Sequence, residues 1–331
     1  MVGQIDNDSG MYGEIKLFAG TGNPAVAEGI SKYLSIPLSG RDIIEFPNEN
    51  LWVRLHSSAR GQDVYVIQST SRPVHRNLME LLIMLQTLRL DSAGRVTAVI
   101  PYLCYTRSDK KDKPRVPITA RLVADMIEIA GADRYMTLDM HAGQIQGFFS
   151  IPGDVLTAFH ILSDHLRKLL PTMDDPVVLT VDLGFAKKGR NLAAELNLPI
   201  AFIEKRRGAS ENSPEALTLI GETAGRDVII VDDEVDTGGS MCQAAHLAKE
   251  HGAKSVFSCF VHPVFSSPAV DRLASAPIDR LITTESIPIP PEDLNTLKDK
   301  MIVEIMDISS LLGEVIRRAH LGQSVGAMFD E

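Results

Sequence analysis

The sequence predicts an α/β fold with mostly parallel sheets, and three observations carry that expectation. The first is the run Val228-Ile229-Ile230-Val231, four β-branched residues with no polar interruption. A strand buried on both faces of a parallel sheet has this pattern. The second is the alternation of such short apolar runs with segments of helical apolar spacing, which places helices over the faces of a sheet. The third is that the alternation recurs in the second half of the chain, without a strict sequence repeat. At 331 residues the chain has length for about two domains.

In the first half, residues 15–18 read as a strand, and Ala19-Gly20-Thr21-Gly22-Asn23-Pro24 as the turn into a helix over 25–34. Residues 63–69 form a second strand. The segment 78–90 is apolar nearly all round, as a buried or interface helix is, and 95–102 reads as a third strand. Beyond it, 105–117 is long, charged and broken by Pro114 and Pro117. It follows the C-terminal end of a strand, where open α/β sheets bind ligands, so it reads as a lid; a plain surface excursion is the alternative. A helix over 119–130 leads to a strand over 135–138 that ends in Asp139-Met140-His141-Ala142. A histidine at that place is a metal ligand, a proton acceptor or a structural residue.

The second half repeats the plan. A helix over 158–170 precedes the strand 177–181, which ends in Asp182-Leu183-Gly184. A helix over 187–196 leads to the strand 200–203 and Glu204-Lys205-Arg206-Arg207, followed by a polar segment over 208–214. After the strand 228–231 come a helix over 244–251, strands over 255–261 and 281–284, and a last helix over 308–319.

The clearest chemistry lies between 228 and 240. Asp232 and Asp233 stand at the strand end, Asp236 follows, and Thr237-Gly238-Gly239-Ser240 leads toward a helix. Small residues and hydroxyls at a helix N-terminus offer N–H groups to a phosphate. Carboxylates suit sugar hydroxyls or a divalent metal instead, so the stretch reads as a sugar-phosphate site. An ordinary turn whose acidic residues cap the helix is the bland alternative.

Composition narrows the class. A net charge of −10 argues against a general nucleic-acid binder. No apolar run approaches the ~18–20 residues of a membrane span, and the polar N-terminus lacks a signal-peptide core. Cys104, Cys242 and Cys259 form neither a metal-type pair nor a disulfide framework, which points to reduced thiols and the cytoplasm. Basic clusters at 107–115 and 205–207 suit a small anionic ligand, or are solvated charged loops.

The 228–240 run by itself resembles the phosphoribosyl-pyrophosphate motif of type I phosphoribosyltransferases. Four further segments occur with it, in order: Asn77-Leu78-Met79-Glu80-Leu81-Leu82-Ile83-Met84, the 105–117 loop, Asp139-Met140-His141-Ala142-Gly143-Gln144-Ile145-Gln146-Gly147-Phe148-Phe149, and Glu204-Lys205-Arg206-Arg207. Together they resemble the ribose-phosphate pyrophosphokinase family over nearly the whole chain. That resemblance implies two tandem type I phosphoribosyltransferase-like domains, 14–157 and 158–312, with a C-terminal helix and tail, 313–331, packed back on the first. It implies Mg²⁺-dependent transfer of the diphosphoryl group of ATP to ribose 5-phosphate, with no nucleic-acid or membrane partner. Lys205 and Arg207 are then catalytic. Phe46, Asn48, Asn50, Arg107, Ser108, Asp109 and His141 contact ATP, and His141 and Asp182 contact the metal. Asp232, Asp233, Asp236, Thr237, Gly238, Gly239 and Ser240 hold ribose 5-phosphate, and Gln146, Asp154 and Ser324 match a regulatory phosphate site. Family members form dimers that assemble to a hexamer, so a homo-oligomer follows, or an assembly with a paralogue.

Several positions depart from the family pattern. Asn48 and Asn50 replace carboxylates, Ser108 replaces glutamine, and Gly143, Val155 and Gly326 differ at the regulatory site. Phe185 stands where the family has glycine, and a bulky side chain there is expected to obstruct the diphosphate or strain the backbone. These departures leave open a catalytically weak regulatory subunit, or a diphosphokinase with another acceptor or nucleotide.

Overall fold

A computed structural model describes residues 12–206 and 216–326, with Lys205, Arg206 and Ala216 described by their backbone alone. Arg207 and the polar segment 208–214 lie outside the described residues.

The first strand, β1 (Ile15–Ala19), turns into α1 (Pro24–Leu34). Pro24 pre-sets the first helical turn, and Asn23 Oδ1 accepts from the Val26 N–H at 3.4 Å. A hairpin of β2 (Arg41–Glu45) and β3 (Leu51–Leu55) follows, with Ile44 opposite Trp52. Then come β4 (Asp63–Ile67), α2 (Val74–Leu90), β5 (Arg95–Ile100), α3 (Thr119–Ala130), β6 (Arg134–Leu138) and β7 (Gly153–Leu156). They form a parallel sheet in the order β1-β4-β5-β6-β7, so strands are added in chain order. The apolar face of α2 is buried through Leu78, Leu81, Leu85 and Leu88. Its Asn77 and Glu80 hold neighbouring turns: Asn77 Nδ2 donates to Ser71 O at 2.9 Å, and Glu80 Oε2 accepts from Thr21 Oγ1 at 2.7 Å.

The chain continues through α4 (Phe159–Leu169), β8 (Val177–Thr180), α5 (Ala186–Glu195), β9 (Ile200–Arg206), β10 (Ala216–Ile220), β11 (Asp227–Val235) and α6 (Gly239–Glu250). Next are β12 (Ser255–Pro263), α7 (Ala269–Ser275), β13 (Arg280–Thr284), α8 (Pro291–Lys298), β14 (Ile302–Met306) and α9 (Ser309–His320). The second sheet runs β10-β9-β8-β11-β12-β13-β14, parallel except for the edge strand β10. Its central run, Val228 to Val231, is fully buried. Each such side chain contributes about 1.5–3 kcal/mol of hydrophobic stabilisation.

Two units result. One holds the chain up to Thr157 with Ser286–Pro288 and everything from Asp307 on; the other holds Ala158–Glu285 and Ile289–Met306. Within the first, α9 lies against α1. Gly29 permits this close approach, since a Cβ there would lie 2.2 Å from Ser309 Oγ. A polar clamp completes the pair. Glu314 accepts from Tyr33 at 3.0 Å, from Arg317 at 2.6 and 2.8 Å and from Arg318 at 2.7 Å. Led by the Arg317 hydrogen bond, these partners hold its carboxyl down at about 2, against an ordinary 4.5. A depressed carboxyl stabilises the fold above its unfolded value and loses that contribution as pH falls through the folded one. The wild-type thermal midpoint is therefore expected to drop between pH 4.5 and 2 more steeply than that of Glu314→Gln; parallel curves would contradict the clamp.

Expectation and structure differ at several places. The helix expected over 244–251 begins at Gly239, so Gly239 and Ser240 belong to its first turn. Strands β2, β3, β7, β10 and β14 and helices α7 and α8 were not read from the pattern. Among the described residues, no helix is long and apolar enough to cross a membrane.

Candidate active site

In the second unit the chain leaves β8 through α5 toward β9 on one side, and leaves β11 through α6 toward β12 on the other. The reversal falls between β8 and β11, which pair in parallel with Thr180 beside Val231. Such a switch point opens a crevice at the carboxyl ends of the strands. The acidic residues sit on this side, Asp182 beyond β8 and Asp232 and Asp233 in the C-terminal half of β11, which runs on to Val235.

Their carboxylates fold back on the local backbone. The Asp233 N–H donates to Asp232 Oδ1 at 3.0 Å, and the Glu234 N–H to Asp233 Oδ1 at 2.9 Å. Burial, reinforced by the charges of Asp233 and Asp182, raises the Asp232 carboxyl well above the usual carboxylate range. The sign of the consequence follows. Ionising Asp232 opposes folding, so its cost appears as pH rises above the unfolded value of 3.8 and persists at neutrality. Asp232→Asn is expected to raise the thermal midpoint by a few degrees at pH 7, with the gain shrinking toward pH 4. A lowered midpoint at pH 7 would contradict this electrostatic reading.

After β11 the loop Asp236-Thr237-Gly238 turns into α6. Gly238 has φ +75°, a left-handed conformation that disfavours side chains, and it directs the chain into the helix. The N-cap position itself is Gly238, which has no side chain to cap the helix. The first turn of α6, from Gly239 to Met241, thus follows directly on the loop, the place where a helix N-terminus meets an anion. From α7, Arg272 Nη1 donates to Thr237 O at 3.1 Å. Sequence spacing gave no sign of this residue, which lies 35 positions downstream of its partner.

Phe185 corrects an expectation. Its backbone has φ −87° and ψ 0°, an ordinary helical-region conformation without strain. Its side chain is buried, with the ring 5.6 Å from that of Phe159. The Phe185 N–H donates to Asp182 Oδ1 at 3.1 Å and shapes the turn before α5. The aromatic bulk thus lies in the core beside Phe159, and the exposed part of the turn is Leu183 and Gly184. Glu204 and the backbone of Lys205 belong to β9, where Lys205 pairs with Leu217 of β10.

In the first unit, Phe46, Asn48 and Asn50 share the tip of the β2–β3 hairpin. The Phe46 N–H donates to Asn50 O at 2.9 Å, and the Asn50 N–H to Asn48 Oδ1 at 3.2 Å. Asn48 therefore braces its own turn, while the Phe46 ring is exposed. Asn50 also lines a cavity of about 830 Å³ with Glu45, His75, Arg76 and Met79. In the 105–117 loop, Arg107 is exposed, whereas Ser108 and Asp109 tie the loop down. Ser108 Oγ accepts from the Thr119 N–H at 3.1 Å at the start of α3. Buried Asp109 accepts from Gln144 Nε2, which links the loop to the exposed His141 segment.

The three regulatory positions lie apart in their bonding. Buried Asp154 is paired with Arg134 at 2.8 Å, and Ser324 Oγ accepts from the Gly326 N–H at 3.2 Å. Gln146 is exposed in a short 3₁₀ turn, and among the described residues no hydrogen bond joins these three. For a metal, the same residues offer no group of three or more His, Cys, Asp or Glu ligands. Asp182, half-buried and with Oδ1 accepting the Phe185 N–H, offers one carboxylate, enough only for a cation that takes most of its ligands from elsewhere.

The chain is similar to known proteins along most of its length. Residues 15–131 match the N-terminal domain of ribose phosphate pyrophosphokinase, and residues 208–330 match the phosphoribosyl synthetase-associated domain. The ribose-phosphate pyrophosphokinase of Aquifex aeolicus (strain VF5) is 42% identical over 315 residues, covering 95% of this chain and 99% of the relative. Ribose-phosphate pyrophosphokinase 1 of Listeria monocytogenes serovar 1/2a is 44% identical over 317 residues, covering 96% and 98%. The crystal structure of phosphoribosylpyrophosphate synthetase from Mycobacterium smegmatis matches with a TM-score of 0.85 at 36% identity, covering 92% of this chain and 98% of its own. With two domain matches and relatives aligned over nearly their full length, the chain belongs to the ribose-phosphate pyrophosphokinase family, enzymes that transfer diphosphoryl groups.

Proposed function

We propose that the acceptor is ribose 5-phosphate, seated at the β11–α6 loop, and that the donor is ATP. The left-handed turn at Gly238, which leads the loop Asp236-Thr237-Gly238 straight into the N-terminus of α6 below the carboxylates of β11, carries this reading. Backbone amides and the hydroxyls of Thr237 and Ser240 would receive the 5-phosphate, with Asp236 at the loop entrance. Asp232 and Asp233 would accept from the ribose 2- and 3-hydroxyls and so fix the 1-hydroxyl. Its oxygen forms a bond to the β-phosphorus of ATP, the bond from that phosphorus to the α-phosphate oxygen breaks, and AMP departs with the electron pair while the hydroxyl proton passes to solvent. Holding the two reactants in register contributes up to roughly 7–11 kcal/mol of the lowered barrier.

The donor is assigned to Phe46, Asn48 and Asn50 for the base and to Arg107, Ser108, Asp109 and His141 for the phosphates. Lys205 and Arg207 supply positive charge to the transferring group, the dominant form of catalysis in phosphoryl transfer. His141 and Asp182 are the residues assigned to contact Mg²⁺, which would neutralise phosphate charge when bound. The burial of Phe185 supports an open turn after β8 and an active enzyme over a silent subunit. A cytoplasmic homo-oligomer, with the regulatory positions Gln146, Asp154 and Ser324, completes the proposal. Purified protein is expected to release AMP only when ATP, ribose 5-phosphate and Mg²⁺ are all present. AMP release that ignores ribose 5-phosphate would overturn the acceptor.

A further inference from the structure

Arg272 is an exposed arginine on an acidic chain, yet among the described residues its side chain makes no ion pair. Its recorded side-chain hydrogen bond goes to a main-chain oxygen, Thr237 O, at 3.1 Å. Thr237 and Gly238 share one trans peptide plane, in which the C=O and N–H point in opposite directions. Holding the Thr237 carbonyl toward α7 therefore turns the Gly238 N–H the other way. The same guanidinium reaches the first turn of α6: Nη1 lies 3.8 Å from where a Cβ on Gly239 would stand. Its field also opposes the burial that pushes the Cys242 thiol up to about 11. One positive group is thus both hydrogen-bonded to the loop and set beside its amides.

We propose that Arg272 is a positioning residue for the acceptor phosphate, orienting the Thr237–Gly238 peptide and lending its charge to the cradle, so that the enzyme selects ribose 5-phosphate over uncharged ribose. The inference rests on the assignment of the loop 236–240 to the 5-phosphate. Arginine suits both tasks, since it keeps its charge and spreads several donors from one plane. Four of its five N–H donors remain for phosphate or water.

The test is steady-state kinetics of the full-length protein with ATP, Mg²⁺ and either ribose 5-phosphate or ribose. Arg272→Ala is expected to raise KM for ribose 5-phosphate by roughly 10- to 100-fold, the range for losing a charge-assisted contact. KM for ATP should stay within about twofold, and the preference for ribose 5-phosphate over ribose should shrink by a similar factor. Arg272→Lys should recover part of the affinity through charge, whereas Arg272→Gln, a neutral donor, should recover less. A folded Arg272→Ala with unchanged KM for ribose 5-phosphate, or with KM for ATP raised equally, would overturn the proposal. So would full recovery by Arg272→Gln, since charge would then have no part. The double variant Thr237→Ala, Ser240→Ala separates the two levels of inference. If it raises KM for ribose 5-phosphate while Arg272→Ala does not, only the role of Arg272 fails; if neither does, the loop assignment fails as well.

Discussion

Replacing Asp63 with alanine is expected to destabilise the first unit by about 3–5 kcal/mol, the cost of leaving buried charge without its partner. The Asp63 side chain has no exposure, and it accepts from Arg95 at 2.6 and 2.7 Å, from Tyr65 at 2.9 Å and from His320 Nδ1 at 2.8 Å. Burial pushes its carboxyl up, but the bonds from His320 and Arg95 outweigh this and hold it below the usual range. Arg95 also donates to Ala319 O at 3.2 Å, so the cluster fastens the end of α9 to β4 and β5. Removing the carboxylate leaves a guanidinium and an imidazole facing each other in the interior. Denaturant unfolding should show the loss, and hydrogen exchange should show faster opening of α9 amides than of β11 amides. A loss below about 1 kcal/mol would mean that the surrounding structure relaxes or that water replaces the carboxylate.

Lys205→Ala is expected to lower turnover by roughly 10²- to 10³-fold, the scale seen when one preorganised group that meets transition-state charge is removed. Its backbone is held by strand pairing of β9 with β10, which the side chain does not supply, so the fold should survive. KM for ribose 5-phosphate should change little, because the acceptor loop lies on β11 and α6. Circular dichroism and the thermal midpoint separate this outcome from misfolding. Unchanged turnover would remove Lys205 from catalysis.

How much of this was legible in the sequence depended on the range of the interaction concerned. The run 228–231 announced a buried strand because fully covered strands need no alternation, and α3 spans 119–130 as its apolar spacing indicates. The start of α6 was misplaced because two glycines suggest loop. Here Gly238 supplies a left-handed turn, and Gly239 then opens the helix. β2 and β3 were not read as strands, since Arg41-Asp42-Ile43-Ile44-Glu45 lacks a clean alternation and the two strands pair only with each other.

Site chemistry divides in the same way. The acidic strand end and the small-residue loop were legible because their spacing is local. Phe185 was not, because its direction depends on packing against Phe159, a contact that no local pattern encodes. Ser108 and Asn48 looked like plain substitutions toward the nucleotide. In the structure, Ser108 secures the start of α3 and Asn48 braces the hairpin turn. The nucleotide residues rested on family resemblance, since an exposed aromatic and an exposed arginine have no pattern of their own.

The measurement that bears most directly on the reaction follows the terminal phosphate of ATP. With label in the γ-phosphate, Mg²⁺ and ribose 5-phosphate, the label should appear in a diphosphate on the ribose 1-oxygen, with one AMP formed for each. Label in free phosphate with ADP as co-product, or label bound to ribose as a single phosphoryl group, would contradict transfer of a diphosphoryl unit.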